Sequence, residues 1–308
     1  MGYRWSLASA ILLFLLTILG ALVVGLNAGF VCPNWPLCDG SLIPPLKGLV
    51  LIEYIHRLVA FLATIFIVYN AWRSWRKRRG DRLVRNLALA SVLLLLLQSA
   101  LGAMIVVMKL PGWFTTVDVT NSMLILIVLS AMVAVGVREV REKKGLSHSL
   151  ANQQGNGYRR LALASAWTTI AIVLQTVIGG YFRHSGDSQA LFGQHSYLLS
   201  HFEHGIPSLN QSVIMLIVHV GFTLVIMAGI VYLAFLVATM GVHRTPVALL
   251  ILLTLYQIAL GIVSLQTKLS LTSDTMHFAG AAAMVVVAGY LWMIASLEQK
   301  PRSVLSFS

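Results

Sequence analysis

The chain has 308 residues, of which 58% are hydrophobic and only 10% are charged. Soluble domains carry about 25% charged residues, so this composition excludes a soluble protein and indicates an integral membrane protein. The formal net charge of +12 would suit a nucleic-acid-binding protein, but the basic residues cluster between apolar segments, as membrane topology signals do.

Eight apolar segments follow one another along the chain, and each approaches the ~20 residues that a helix needs to cross a bilayer. The first follows Arg4 and has no small-residue cleavage motif after it, so we expect a retained helix and not a signal peptide. The predicted spans are residues 6–26, 50–72, 84–107, 116–138, 159–181, 211–238, 245–266 and 274–297.

The loops that join these spans differ in charge. With eight spans, 17 of the 22 lysines and arginines fall on the side that carries both termini, and five fall on the other side. The positive-inside rule then predicts a multi-pass plasma-membrane protein with both termini in the cytoplasm. Topology explains the basic stretch 73–85, so the lipid bilayer is an expected partner and nucleic acid is not.

The only two cysteines lie together in the first outer loop, in the sequence CPNWPLC. An oxidising outer face permits a disulfide between Cys32 and Cys38. The pair would serve either as a structural staple or as a labile redox couple, and both interpretations stay open. A metal site is the weakest alternative, because two thiolates without neighbouring ligands do not complete one.

The two halves of the chain repeat one pattern, with Gln-x-x-Leu-Gly in the third and seventh spans. The matching positions, offset by 156 to 163 residues, are Gly20 with Gly179, His56 with His219, Gln98 with Gln257, and Asn121 with His277. Each half has an even number of spans, so the repeat is parallel. The sequence therefore predicts an all-α integral membrane fold, with eight transmembrane helices in two pseudo-symmetric four-helix bundles. The predicted bundles cover 1–145 and 159–308, with a cytoplasmic linker over 146–158.

Histidines inside apolar spans are the strongest functional signal, because histidine is costly to bury in lipid. His219 and His277 come from the second and fourth spans of the second half, at similar depth. This pattern favours axial ligation of one haem iron, haem b with two histidine ligands, over core histidines satisfied by neighbouring polar groups. A proton relay would need mid-span carboxylates, and the second half offers only Asp274, at a span boundary.

In the first half, Asn121 stands where a fourth histidine is expected. Asparagine is a poor haem ligand, so a first site would offer His56 alone, with its opposite face open. Glu53 and His56 share one helix face beside Arg57, which indicates either a carboxylate acting next to an iron ligand or a solvated helix end with a local ion pair.

Two further features concern the outer loops and helix starts. The third outer loop, residues 182–211, is rich in histidine and is expected to form a lid, with metal binding at His201 and His204 as the weaker alternative. Asp118 and Asp274 lie near predicted helix starts and are predicted to be N-caps.

Four features of the sequence point to one known family: CPNWPLCDG, the following Glu53-Tyr-Ile-His56-Arg57, the duplicated Gln-x-x-Leu-Gly motif, and the pair His219 and His277. In these features the chain resembles the haem A synthase family, and the resemblance covers nearly the whole chain. The resemblance implies an enzyme of cytochrome oxidase assembly that oxidises the C8 methyl group of haem O to a formyl group by successive hydroxylation. It implies that His219 and His277 bind the iron of haem b. It also implies a haem O site in the first half, with Glu53 and His56 as catalytic residues and His56 bound to the haem O iron.

The resemblance further implies that the cysteines act in redox steps or stability. Expected partners are haem O, haem O synthase and other assembly factors, and an oligomer is also allowed. Arg57 is expected to pair with haem propionates. Asn121 departs from the family's usual fourth histidine. The alternative function is therefore a non-enzymatic haem b-binding assembly or electron-transfer protein with a disabled first site, and a transporter with parallel repeats is a further rival.

Overall fold

The computed structural model describes residues 3–78, 80–144, 155–193 and 207–299. Eight helices in these ranges are long and apolar enough to cross a membrane. A ninth, short helix lies between the fifth and sixth of them. In chain order the helices are α1 Tyr3–Gly25, α2 Gly48–Lys77, α3 Arg82–Met108, α4 Trp113–Lys143, α5 Gly155–His184, α6 Asp187–Phe192, α7 Leu209–Met240, α8 Arg244–Gln266 and α9 Leu271–Glu298.

The eight predicted spans and the all-helical membrane fold are confirmed. The helices extend past several predicted ends because interfacial side chains continue them beyond the apolar stretch. Trp72 and Trp75 near the end of α2 lie under the guanidinium groups of Arg76 and Arg85, at 5.3 and 4.6 Å from their ring centres. Such aromatic and basic pairs are typical of the membrane–water interface.

The predicted N-caps are wrong. The N-cap position of α4 is Gly112, and α9 is capped by Ser270, whose hydroxyl accepts from the Ser273 amide. Both aspartates lie inside their helices, because each helix begins earlier than the apolar pattern does. Asp118 instead accepts a hydrogen bond from Gln98, and Asp274 forms an ion pair with Arg183.

Each half forms a four-helix ring. In the first half α2 and α4 lie diagonally, each packed against α1 and α3. In the second half α7 and α9 lie diagonally in the same way, each packed against α5 and α8. Each contact among the four long helices of one half has its counterpart in the other, which is consistent with the expected pseudo-symmetry, and among the described residues the short helix α6 occurs in the second half alone.

The halves meet along α4 and α9, the most deeply buried helices, and α1 and α5 flank this contact. The two helices approach closely here, since a Cβ on Gly289 would lie 3.4 Å from the Cα of Ile127, at the limit of ordinary van der Waals contact. Residues 155–158, placed in the linker by the sequence, belong to α5, and residues 145–154 lie outside the described chain.

The two ends of the structure have different chemistry. The termini end, where α1 begins and α9 finishes, is fastened by charged pairs that include Arg78 with Glu139 and His243 with Glu298. The opposite end carries the bond between Cys32 and Cys38, and we call it the disulfide end. The intramembrane histidines lie within a few helical turns of the disulfide end.

Candidate functional site

In the second half, the diagonal helices α7 and α9 present two imidazoles to each other across the ring of helices. The ring centres of His219 and His277 are 6.4 Å apart, and the ring planes make an angle of 66°. Both Nδ1 atoms are buried without a hydrogen-bond partner among the described residues. Two facing imidazoles with buried, unpartnered nitrogen atoms form the kind of donor set that a metal ion completes.

The separation of the rings fits one metal ion held between them. A histidine nitrogen lies about 2 Å from a bound first-row transition metal, so two rings on opposite sides of one ion have centres about 6 Å apart. The measured spacing agrees with this arrangement. His219 and His277 therefore fit the two axial positions of a haem iron.

Two residues of α5 face His219, one beside its ring and one at its backbone carbonyl. Gly179 leaves room for the imidazole, since a Cβ at this glycine would lie only 2.6 Å from His219 Cε1. One turn away, Gln175 donates from Nε2 to the backbone carbonyl of His219 at 2.8 Å and to the Thr223 hydroxyl at 3.3 Å. This amide ties the helix that carries the histidine to its neighbour.

The His277 ring has the same support from α8. Gln257 donates from Nε2 to the backbone carbonyl of His277 at 2.8 Å, and a Cβ on Gly261 would lie 3.7 Å from His277 Cε1. Gly280, one turn along α9, makes room for the Gln257 side chain, because a Cβ there would collide with it. Glutamine and glycine four residues apart thus form one support for each imidazole.

The sequence marks these glutamine–glycine pairs with a motif that is broader than the repeated Gln-x-x-Leu-Gly. Gln-x-x-x-Gly occurs three times in the spans, starting at Gln98, Gln175 and Gln257. The first and third were recognised because leucine also repeats. The motif of α5 was missed because the equivalent position of α1 is Leu16.

In the first half, His56 occupies the position that its repeat partner predicts. A Cβ on Gly20 of α1 would lie 3.5 Å from His56 Cε1, and His56 Nδ1 is a buried atom for which the described chain provides no partner. Glu53 lies one turn away on α2, is 4% exposed, and binds Arg57 through Oε1 at 2.7 Å. Its Oε2 is buried and unpartnered within the described ranges. Glu53 is therefore not at a solvated helix end.

Arg57 joins this carboxylate to the disulfide loop. Its Nη1 donates to the carbonyls of Asn34, Pro36 and Leu37, and its Nη2 to the carbonyl of Cys32, at 2.6 to 3.3 Å. All three guanidinium nitrogens thus have protein partners. Pairing of Arg57 with propionates stays a prediction, and it would have to share these donors.

The predicted disulfide is present, with both cysteines in a closed loop. Cys32 is 0% and Cys38 is 3% exposed, so the pair is buried. Burial limits attack by external thiols, which favours the structural staple over the labile couple. Residues 33–36 between the cysteines are exposed, while Arg57 binds the carbonyls of Cys32 and Leu37 and holds the disulfide against α2.

Asn121 is turned toward α3. Its Nδ2 donates to the Leu94 carbonyl at 2.9 Å and to Gln98 Oε1 at 2.7 Å, while Gln98 Nε2 donates to Asp118 at 2.7 Å. Gln98 therefore hydrogen-bonds two side chains, whereas Gln257, at the equivalent position of the second half, hydrogen-bonds a backbone carbonyl. A Cβ on Gly102 would meet no described atom of another segment within 4 Å, so there is open space where a fourth imidazole would be expected.

The disulfide end of the second half carries a further set of buried polar contacts. Arg183 binds Asp274 at 2.9 Å, and His184 Nδ1 is 3.0 Å from the Thr116 hydroxyl. Asp187, which is 0% exposed, accepts hydrogen bonds from two serine hydroxyls. These contacts join α4, α5, α6, α7 and α9. The ion pair was not predicted from sequence, since its partners are 91 residues apart.

The histidine-rich loop is described only in part. Residues 194–206, which include His201 and His204, lie outside the described residues, so the lid and the weaker metal alternative stay predictions. Elsewhere in the described ranges, no group of three or more histidine, cysteine, aspartate or glutamate side chains is arranged to hold a metal ion.

Comparison with known proteins finds relatives that are named heme A synthase. A heme A synthase from Symbiobacterium thermophilum is 41% identical over 100 residues, covering 32% of each chain. One from Geobacillus thermodenitrificans is 41% identical over 108 residues, covering 34% of each chain. One from Alkalihalophilus pseudofirmus is 27% identical over 191 residues, covering 61% of this chain and 62% of the relative. The matched regions thus span between a third and about three fifths of these relatives.

A family model described as cytochrome oxidase assembly protein matches residues 46–288. The match runs from the residues just before α2 into α9, and so includes His56, Asn121, His219 and His277. Because the match covers most of the chain and both halves of the site, this protein belongs to the cytochrome oxidase assembly protein family.

Proposed function

We propose that the protein is a haem A synthase, which oxidises the C8 methyl group of haem O to a formyl group by successive hydroxylation in the membrane. The observation that carries the proposal is the facing pair His219 and His277, whose spacing of 6.4 Å suits one haem iron. The similarity to proteins named heme A synthase supports the same function.

In this proposal the two halves have different tasks. His219 and His277 hold haem b, which supplies electron transfer through an iron with two histidine ligands. The first half binds haem O as the substrate, with His56 toward the iron and the methyl group near Glu53. The asymmetry is supported by Asn121, because its Nδ2 is already bound to α3 and only its oxygen is unpartnered within the described part of the chain.

Glu53 is the proposed proton acceptor of the first half. The second hydroxylation gives a hydrate, and the hydrate becomes the formyl group when one hydroxyl loses a proton and the other leaves as water. A group that accepts one proton and returns it to the leaving hydroxyl assists this step. Glu53 has one oxygen held by Arg57 and a second, buried oxygen without a partner in the described structure. Such a carboxylate can accept a proton at Oε2 while Arg57 keeps its orientation.

The position of the site in the membrane follows from the charge distribution. We place both termini in the cytoplasm, because 17 of 22 lysines and arginines lie at the termini end or in the loops beside it. The disulfide end, with both histidine sites near it, then faces the oxidising side. The substrate haem O must be supplied by another enzyme, so haem O synthase is the proposed upstream partner.

Expression of the full chain in a host that supplies haem O tests the function. We expect haem A in the extracted pigments, separated by chromatography, and a low-spin spectrum in the purified protein that is lost in His219→Ala and His277→Ala. Glu53→Gln should retain that spectrum and lose haem A formation. Bound haem b without any haem A would refute the enzyme and support the assembly or electron-transfer alternative.

A further inference from the structure

The ion pair between Arg183 and Asp274 lies directly above the two imidazoles of the second half. Arg183 follows Gly179 by four residues on α5, so both residues share the face of α5 that contacts His219. Asp274 precedes His277 by three residues on α9. The pair therefore lies about one helical turn, roughly 5 Å, nearer the disulfide end than the imidazoles.

The ion pair holds the guanidinium through Nε, and its two Nη groups have no hydrogen-bond partner among the described residues. Asp274 Oδ2 binds Arg183 through Nε at 2.9 Å, and the two side chains are 17% (Arg183) and 30% (Asp274) exposed. A guanidinium has five N–H donors in a rigid fork, and its Nη edge matches a carboxylate. Partial burial strengthens such a contact, because water competes less for the donors.

We infer that Arg183 binds the propionate carboxylates of the haem held by His219 and His277, and so sets which edge of the macrocycle faces the disulfide end. The inference rests on the proposed haem site. Haem has one edge with two anionic carboxylates and an otherwise apolar body, so a cation one turn above the iron ligands would select its orientation. Asp274 acts as a positioning residue that holds the plane of the guanidinium.

Arg57 provides a structural comparison. It also lies at the disulfide end, but its three nitrogens are bound to Glu53 and to four carbonyls of the disulfide loop. Arg183 uses Nε on one carboxylate. Both arginines place one positive charge at the same end of the molecule, and only Arg183 lies on a helix face that contacts an imidazole of the second half.

Haem b and its dimethyl ester, in which both propionates are neutral, separate the carboxylate contact from all other haem contacts. The full chain is prepared without haem from a haem-deficient host and titrated with each compound. The readout is the low-spin optical spectrum. Wild-type protein should bind haem b about tenfold or more tightly than the ester, which corresponds to about 1.4 kcal/mol or more. Arg183→Gln should lose this preference, and Arg183→Lys should retain part of it. Lys109→Gln, which removes a positive charge from an exposed residue at the same end of the molecule, should keep it.

The comparison is made within each variant, so partial loss of folded protein affects both titrations equally. A preference for haem b that persists in Arg183→Gln would overturn the role of Arg183 and leave the haem site intact. Equal affinity of the wild-type chain for both compounds would overturn it as well. No low-spin spectrum with either compound in the wild-type chain would instead refute the proposed haem site itself.

Discussion

Substitution of Gly179 by alanine should disrupt the second site through one methyl group. The added Cβ would lie 2.6 Å from Cε1, 3.1 Å from Nδ1 and 3.5 Å from Nε2 of His219. The closest of these distances must grow by about 1 Å to reach ordinary van der Waals contact. The colliding group is a rigid ring and not the end of a flexible chain, so the imidazole itself has to move.

The consequence for metal binding follows from the spacing of the rings. Metal–ligand distances tolerate about 0.2 Å, so a displacement of about 1 Å breaks the bond to one of the two histidines. We expect Gly179→Ala to lose the low-spin spectrum with two axial histidines and to bind substantially less haem. Overpacking should also lower the free energy of unfolding by about 1–3 kcal/mol.

Two glycines at related positions serve as matched controls. A Cβ on Gly261 would lie 3.7 Å from His277 Cε1, an ordinary contact, and a Cβ on Gly102 would meet no described atom of another segment within 4 Å. Gly261→Ala and Gly102→Ala should therefore keep the wild-type spectrum and haem content. The assay is the reduced optical spectrum of detergent-purified protein with its haem-to-protein ratio. A wild-type spectrum and full haem content in Gly179→Ala would refute the placement of His219 as an iron ligand.

Three further substitutions test other parts of the site. Gln257→Ala removes the hydrogen bond to the His277 carbonyl and should lower the free energy of unfolding by about 1 kcal/mol, measured by thermal denaturation in detergent; an unchanged midpoint would contradict the support that we assign to Gln257. Asn121→His should place an imidazole in the open space beside Gly102, so that haem bound in the first half becomes low-spin and no longer binds carbon monoxide. Carbon monoxide binding that persists unchanged would show that residue 121 does not face the iron. Arg57→Gln leaves the buried Glu53 carboxylate without its cation and should destabilise the protein by about 3 kcal/mol, with part of the loss recovered in the double variant that adds Glu53→Gln. Equal stability of the single and double variants would exclude the buried ion pair as the cause.

The fold could be predicted from the sequence because each membrane span sets a requirement on one short, continuous stretch of the chain. A span needs about 20 apolar residues, and each of the eight helices contains such a segment. The errors lie at the helix ends, as Asp118 and Asp274 illustrate. Hydropathy marks where lipid contact ends, whereas the helix continues as long as interfacial side chains and caps satisfy its backbone.

The chemistry of the site was only partly predictable. His219 and His277 stand out because histidine is rare in lipid, and the repeat assigns them to the second and fourth spans of the same half. The partners of Arg57 were not predictable, since the carbonyls that it binds lie 20 to 25 residues away in a loop whose path depends on packing. The burial of the disulfide follows from the same contact.

The sequence alone therefore determined the eight spans, the duplication and the residue types that fit haem iron, because these depend on composition and on positions along single helices. Tertiary structure decided which atoms meet. Only the rotation and spacing of neighbouring helices set the 6.4 Å between the two imidazoles, and only they turn Asn121 toward α3 and bring Arg183 to Asp274. Those quantities arise from side chains packing between segments far apart in the chain, and a difference of one methyl group at Gly179 is enough to change them.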